Sequence, residues 1–246
     1  MTFDRILVPL DFGRPADRAL PVAQALARTL VARLDAVVVT SRGIDRAIEE
    51  IEARRHAQSL GCELDGVELR TEDDVVEGIL AAARSPRTLL CIATHSRGAA
   101  ADLAFRSVGE HVLRRTTQPV LAVGPRTVVD PPPRLDEIVS CVDVDPRQAR
   151  RLLSVTADWA YELRCDPWLL RVIEPGPHPP VSGSPDPTLL DELTRELLER
   201  GVAATWEAVP ESDPATGILR FASKLDGPVL IMASHGRSGL RRLVLG

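Results

Sequence analysis

The sequence predicts an α/β protein built as two doubly wound, parallel-sheet units in tandem, and three features of its 246 residues point there. Short apolar runs bounded by turn residues alternate with longer segments of helical period, the pattern of a parallel sheet with helices on both faces. The stretch 126–134 holds three consecutive prolines, Pro131, Pro132 and Pro133, and can join neither helix nor sheet. Beyond it the same order of elements restarts, the signature of a duplicated unit.

In the first half the runs Arg5–Leu10, Ala36–Thr40, Val67–Arg70, Leu89–Ala93 and Val120–Val123 are expected as strands. Segments near 15–33, 43–60, 73–84 and 105–116 carry the helical period between them. In the second half the expected strands are Glu137–Val142, Trp168–Ile173, a run near Ala203–Val209, and Val229–Ala233. Helices are expected from Pro146 to about Leu163 and over 187–200 and 214–225. Asp145 followed by Pro146 reads as an aspartate N-cap with proline in the first turn, which places the start of the helix that follows.

Individual residues repeat as well. Asp11, which closes Ile6-Leu-Val-Pro-Leu-Asp11, answers to Asp143, which closes Ile138-Val-Ser-Cys-Val-Asp143, at an offset of 132. Gly78-Ile-Leu80 answers to Gly217-Ile-Leu219 at 139, and Ala93-Thr-His95 to Ala233-Ser-His235 at 140. The chain is therefore expected to hold a first domain at 1–125, a linker at 126–134 and a second domain at 135–246. Shifting the strand at 119–123 by 140 passes Gly246, so the second domain as given is expected to lack its last helix and strand and to be marginal alone. In the first domain that stretch supplies Val108, Val112, Leu113, Val120, Leu121 and Val123, each worth ~1.5–3 kcal/mol when buried.

Composition limits the function classes. With 44% hydrophobic and 26% charged residues, the chain is globular rather than disordered. A net charge of −5 provides no basic footprint for a nucleic acid or an anionic membrane. Cys62, Cys91, Cys141 and Cys165 show no C-x-x-C or Cys/His ligand spacing, so buried reduced thiols and no metal are expected. No apolar stretch reaches the ~18 residues of a membrane span, and no signal-peptide core is seen at the start, so a cytoplasmic location is expected.

Ligands of doubly wound sheets sit outside the carboxyl ends of the strands, where strand order reverses. Two loops qualify in each half, one carrying Asp11 or Asp143 and one carrying His95 or His235. The second-half loop, Ala233-Ser-His-Gly236-Arg-Ser-Gly239-Leu-Arg-Arg-Leu-Val-Leu-Gly246, has glycines that let backbone N–H groups approach phosphate oxygens. Together with Ile6-Leu-Val-Pro-Leu-Asp-Phe12 and Gln118-Pro-Val-Leu-Ala-Val123, this loop resembles the universal stress protein family in its tandem form. The resemblance covers nearly the whole chain.

That resemblance implies a Rossmann-like fold of the adenine nucleotide alpha hydrolase type and an adenine nucleotide, ATP or AMP, with Mg2+ accompanying its phosphates. ATP-binding members carry Gly-x-x-Gly, nine residues, then Gly-Ser or Gly-Thr. Carried over, the second-domain positions are Ala233, Gly236 and Gly246, with Arg237 and Gly239 in the same loop, Met232 against the adenine, and Asp143 and Val172 completing the site. The first domain has Ala93, Ser96 and Arg106 where glycines belong, and keeps Ser107, Pro9 and Asp11. It is expected to be a degenerate pseudo-copy. Structural roles stand beside these: Asp11 and Asp143 as turn caps, His95 and His235 bonded to backbone, Arg237, Arg241 and Arg242 as an exposed helix face. The proline-rich stretch Glu174–Pro187 reads either as a lid or as a plain insertion, and His178 is a lone loop histidine.

Two functions remain open: a stress-response regulator that binds nucleotide in its second domain, or an interaction scaffold of the same fold that binds none. Enzyme chemistry beyond slow ATP turnover finds no Gly-x-Ser-x-Gly elbow, Walker lysine or acid–base pair in the sequence. Pairing through the strand at 119–123, between two chains or between domains, is the expected association.

Overall fold

The computed structural model describes residues 3–12, 16–40, 45–94, 108–116, 118–125, 127–129, 134–142, 145–174 and 187–233. Their contacts separate two compact units, Thr2–Pro133 and Arg134–Leu245.

The first unit runs β1 (Arg5–Pro9), α1 (Ala19–Leu30), β2 (Arg33–Thr40), α2 (Arg46–Ser59), β3 (Gly66–Thr71), α3 (Val75–Ala82), β4 (Thr88–Ala93), α4 (Val108–Arg115) and β5 (Val120–Val123). Its sheet has the order β3-β2-β1-β4-β5, and every pair is parallel. Ile6, Leu7 and Val8 of β1 are fully buried, which is why the central strand reads as an unbroken apolar run rather than an alternating one. Leu7, Val37, Leu90 and Ile92 face Val76 and Ile79 of α3 and Val112 of α4. On the opposite face α1 lies over β1, β4 and β5, and the Cys91 thiol points to the carbonyl of Ala19 at its start.

The second unit runs β6 (Ile138–Cys141), α5 (Pro146–Leu163), β7 (Trp168–Ile173), α6 (Pro187–Glu199), β8 (Thr205–Pro210), α7 (Pro214–Ala222) and β9 (Val229–Met232). The parallel order is β8-β7-β6-β9. Val139, Leu170, Val209 and Phe221 form its core on the α7 side. On the α5 side Ser140 is fully buried and bonds the Thr156 hydroxyl at 2.7 Å, which in turn donates to the Leu152 carbonyl. Two doubly wound parallel sheets in tandem are thus the architecture, as the alternation of runs predicts.

Among the described residues, four helices begin on aspartate. Asp45, Asp74, Asp145 and Asp213 each accept from a backbone N–H of the first turn, at Ala47, Val76, Arg147 and Thr216. The start of α1 differs from the expected position near 15: a short 3-10 turn, Ala16–Arg18, precedes it. Pro21 explains the delay, since a proline is tolerated only in the first helical turn, where its missing N–H is not needed. α1 ends on Val31 in the left-handed region, φ +53°, a conformation that costs a β-branched residue energy.

β2 begins three residues earlier than expected because of a partly buried ion network. Asp35 is 6% exposed and receives Arg5 Nε at 2.7 Å, while the same guanidinium reaches Glu68 at 2.9 Å and the Ala82 carbonyl at 3.1 Å. Burial alone would raise the Glu68 carboxyl, but hydrogen bonds from Arg5 and Arg70 hold it below its ordinary value. All four cysteines are free. Cys62 and Cys91 are buried as expected, whereas Cys141, the last residue of β6, and Cys165, in the loop after α5, are half-buried.

Candidate functional site

Strand order reverses at β1/β4 in the first sheet and at β6/β9 in the second, so the crevices open at the carboxyl ends of those strands. In the first, β1 and β4 pair only from Arg5↔Thr88 to Leu7↔Leu90, although both strands run on. Leu10 N–H donates to Val37 on β2 at 2.9 Å, so by alternation the backbone nitrogen of position 9 faces β4. Pro9 has no hydrogen there, and the strands part. Asp11 and Phe12 follow on the exposed turn, Phe12 with φ +56°. Across the crevice, β4 ends at Ala93, and Thr94 bonds the Val123 carbonyl through its N–H at 2.8 Å and its hydroxyl at 3.3 Å.

The second crevice is zipped two pairs further, through Ser140↔Ile231 and Cys141↔Met232. Cys141 stands where Pro9 stands in the first unit and supplies the N–H that proline lacks. Burial pushes the Cys141 thiol up to about 12, which leaves it neutral and unreactive at physiological pH. Beside it Met232 is 46% exposed at the end of β9, and Ala233 is exposed. Cys141 packs against the α7-side core, so Met232 is the exposed apolar side chain at this end of the sheet.

Val172 belongs to this crevice through its backbone, not its side chain. The last β6–β7 bond runs from Val142 N–H to the Leu170 carbonyl at 2.8 Å. Two residues on, the N–H and C=O of Val172 point the same way, beyond the end of β6. Its side chain packs beneath α7, where a Cβ added at Gly217 would fall 2.9 and 3.0 Å from its two methyl groups. Val39 and Gly78 make the same close contact in the first unit, at 2.9 Å to both methyls. Gly78 and Gly217, legible in the sequence as markers of the repeat, are thus the positions that let α3 and α7 settle onto β2 and β7.

Of the expected site residues, Val172 on β7 and Met232 and Ala233 at the end of β9 lie at the carboxyl end of the second sheet, on either side of β6, and Pro9, Asp11 and Ala93 lie at the carboxyl ends of β1 and β4 in the first. Asp143, Gly236, Arg237, Gly239, Gly246, Ser96 and Ser107 lie outside the described residues, as do His95, His178, His235, Arg106, Arg241 and Arg242. Missed by sequence reasoning is a group on the β1–α1 turn. Asp17 bonds His56 of α2 at 2.7 Å, Phe12 meets the same imidazole edge-on, and Phe12, Glu52, Arg55, His56 and Ser59 line an open pocket of about 350 Å³. No periodic signal links Asp17 to His56, because the contact joins a turn to a helix 39 residues later. Among the described residues no cluster of three histidine, cysteine or acidic side chains is set to hold a metal, and no helix is long and apolar enough to cross a membrane.

Two tandem parallel sheets, each opening a crevice at its point of strand reversal, define the class of doubly wound α/β proteins that take ligands at strand ends. The sequence profile of the universal stress protein family matches residues 2–124 and 135–246, and the chain belongs to that family. Among solved structures, it is similar to a universal stress protein from Archaeoglobus fulgidus, at 18% identity and a TM-score of 0.66, covering 98% of this chain and 89% of the other. A universal stress protein from Pseudomonas aeruginosa is similar at 19% identity and a TM-score of 0.60, covering 97% and 85%. A functionally unknown protein from Pseudomonas aeruginosa is similar at 18% identity and a TM-score of 0.56, covering 97% and 84%. These likenesses establish the fold. No curated protein matches the chain.

Proposed function

We propose that the protein is a cytoplasmic stress-response regulator that binds an adenine nucleotide, ATP or AMP with Mg2+ on the phosphates, in its second domain. Asp143, Val172, Met232, Ala233, Gly236, Arg237, Gly239 and Gly246 hold the ligand in this reading. The first domain, with Pro9, Asp11, Ala93, Ser96 and Ser107, is its structural pseudo-copy, joined through the linker at 126–134. The observation that supports the reading is exposed Met232 at the end of β9 on one side of β6, with the Val172 backbone turned toward β6 from the other. A flat heteroaromatic ring with donors and acceptors on its edge suits that combination.

A specific observation favours the alternative, an interaction scaffold that binds no nucleotide: β6 and β9 stay paired to Cys141↔Met232, which narrows the crevice relative to the first unit. For association, β5 forms an edge of the first sheet with Ala122 exposed, which suits strand-to-strand pairing through 119–123. Calorimetric titration with ATP and AMP separates the two readings. Asp143→Ala is expected to weaken binding about tenfold or more, a loss of about 1.4 kcal/mol, while Asp11→Ala leaves it unchanged. Absence of heat in the unaltered protein would favour the scaffold, and an equal loss in both variants would contradict binding confined to the second domain.

A further inference from the structure

We infer that Arg18 latches the start of the interdomain linker onto the carboxyl rim of the first sheet, turning that rim into an anchor for the linker. The inference concerns the first unit and does not depend on nucleotide binding in the second. Arg18 occupies the N-cap position of α1 yet makes no side-chain cap to the helix. Its Nη1 donates instead to the carbonyls of Pro125 and, at 3.4 Å, Thr127. Thr127 N–H bonds back to the Gly124 carbonyl at 3.2 Å, so the chain turns immediately after β5 and presents both carbonyls to the same guanidinium. Charge-assisted bonds of this kind are the stronger class of hydrogen bond.

Val128 is 69% exposed, while Pro125, Thr127 and Val129 are half-buried, so the segment is only partly covered by packing. Neighbouring Asp17 is tied at the same time to His56 of α2. The 3-10 turn Ala16–Arg18 is therefore fastened on one side to a helix and on the other to the linker. In the sheet, β4 lies between β1 and β5, so the link from the end of β5 to the turn after β1 spans the carboxyl ends of three strands. That rim is where a doubly wound sheet otherwise receives its ligand.

Trypsin reads the latch in the folded, full-length protein, because Arg126 lies inside the linker start and cleavage there follows the population of the opened segment. Arg18→Ala is expected to speed cleavage after Arg126 about tenfold, equivalent to about 1.4 kcal/mol of latch, with cleavage at helical arginines and the thermal melt unchanged. Arg18→Lys, which keeps the charge on a shorter side chain, is expected to fall between. Asp17→Asn, which loosens only the α2 tie, is expected to leave the Arg126 site at its original rate. Fragments are identified by mass spectrometry. An unchanged rate after Arg126 in both Arg18 variants overturns the inference, as does acceleration of all sites together in both, which would mean that Arg18 supports the unit as a whole.

Discussion

Replacing Gly217 by alanine tests how the second crevice is positioned. The added Cβ would lie 2.9 and 3.0 Å from the methyls of Val172 and 3.1 Å from Cβ of Glu211. Carbon atoms settle at about 3.5–4.0 Å, so a shift of roughly half an ångström is required. Valine is stiff about χ1 and both of its methyls are in the way, so rotation does not clear the space. β7 is hydrogen-bonded to β8 along its length and to β6 up to Leu170, which leaves α7 as the freer element to move. Overpacking of this kind costs ~1–3 kcal/mol, and alanine recovers ~0.8–1 kcal/mol of helix propensity. Both Val172 methyls and Glu211 Cβ are in the way, which puts the steric cost toward the upper part of that range, and a net loss of about 1 kcal/mol, at most about 2, is expected in urea unfolding.

The same cycle carries its own control. In Gly217→Ala/Val172→Ala the obstructing methyls are gone, so the two substitutions should couple favourably by about 1–2 kcal/mol. Gly78→Ala with Val39→Ala repeats the experiment in the first unit, where the methyls are 2.9 Å away. A Gly217→Ala protein as stable as the original, or a coupling under about 0.5 kcal/mol, would refute the packing argument.

Other outcomes follow from single positions. Val31→Gly should stabilise the first unit by about 0.5–1 kcal/mol in urea melts, because a 93%-exposed valine at φ +53° gives up strain and almost no burial; a destabilised variant would contradict this. Arg171 Nε is buried with no hydrogen-bond partner, and the matching first-unit residue, Val38, is a buried core side chain. Arg171→Val should therefore raise stability by about 1–2 kcal/mol, and an equal or larger loss would mean that the guanidinium has a supporting role. Burial holds the Cys91 thiol up to about 12 against an ordinary 9.0. The folded state then binds the extra proton, so its advantage is intact below pH 9 and is lost as pH rises from 9 toward 12. Cys91→Ala should flatten the alkaline decline in urea stability by up to ~1.4 kcal/mol per pH unit, and identical slopes would count against it.

How much of this was legible depended on whether a residue's role was local. Pro146–Leu163 and Trp168–Ile173 lie where the sequence places them, because an Asp-Pro start and a dense apolar run act within their own segments. Asp213-Pro214 carries the same start signal for α7. β2 was read short because Asp35 looks like a turn residue until Arg5, 30 positions away, pairs with it. Val172 is expected from the sequence as a site position, but the packing of its side chain beneath α7 appears only once Gly217 is seen against it. The contrast between Pro9 and Cys141 was visible as letters in the repeat. Its consequence, two further rungs of pairing in the second sheet, needed the register. Arg18 carried no signal at all, since its acceptors are backbone carbonyls that no sequence pattern announces.

Nucleotide content of the protein purified from cells, compared with that of Gly236→Arg prepared identically, tests the central claim most directly. ATP or AMP extracted in near-stoichiometric amount from the unaltered chain, and lost from the Gly236→Arg variant, is the result the proposal predicts. No nucleotide in either protein, or equal amounts in both, would contradict binding in the second domain.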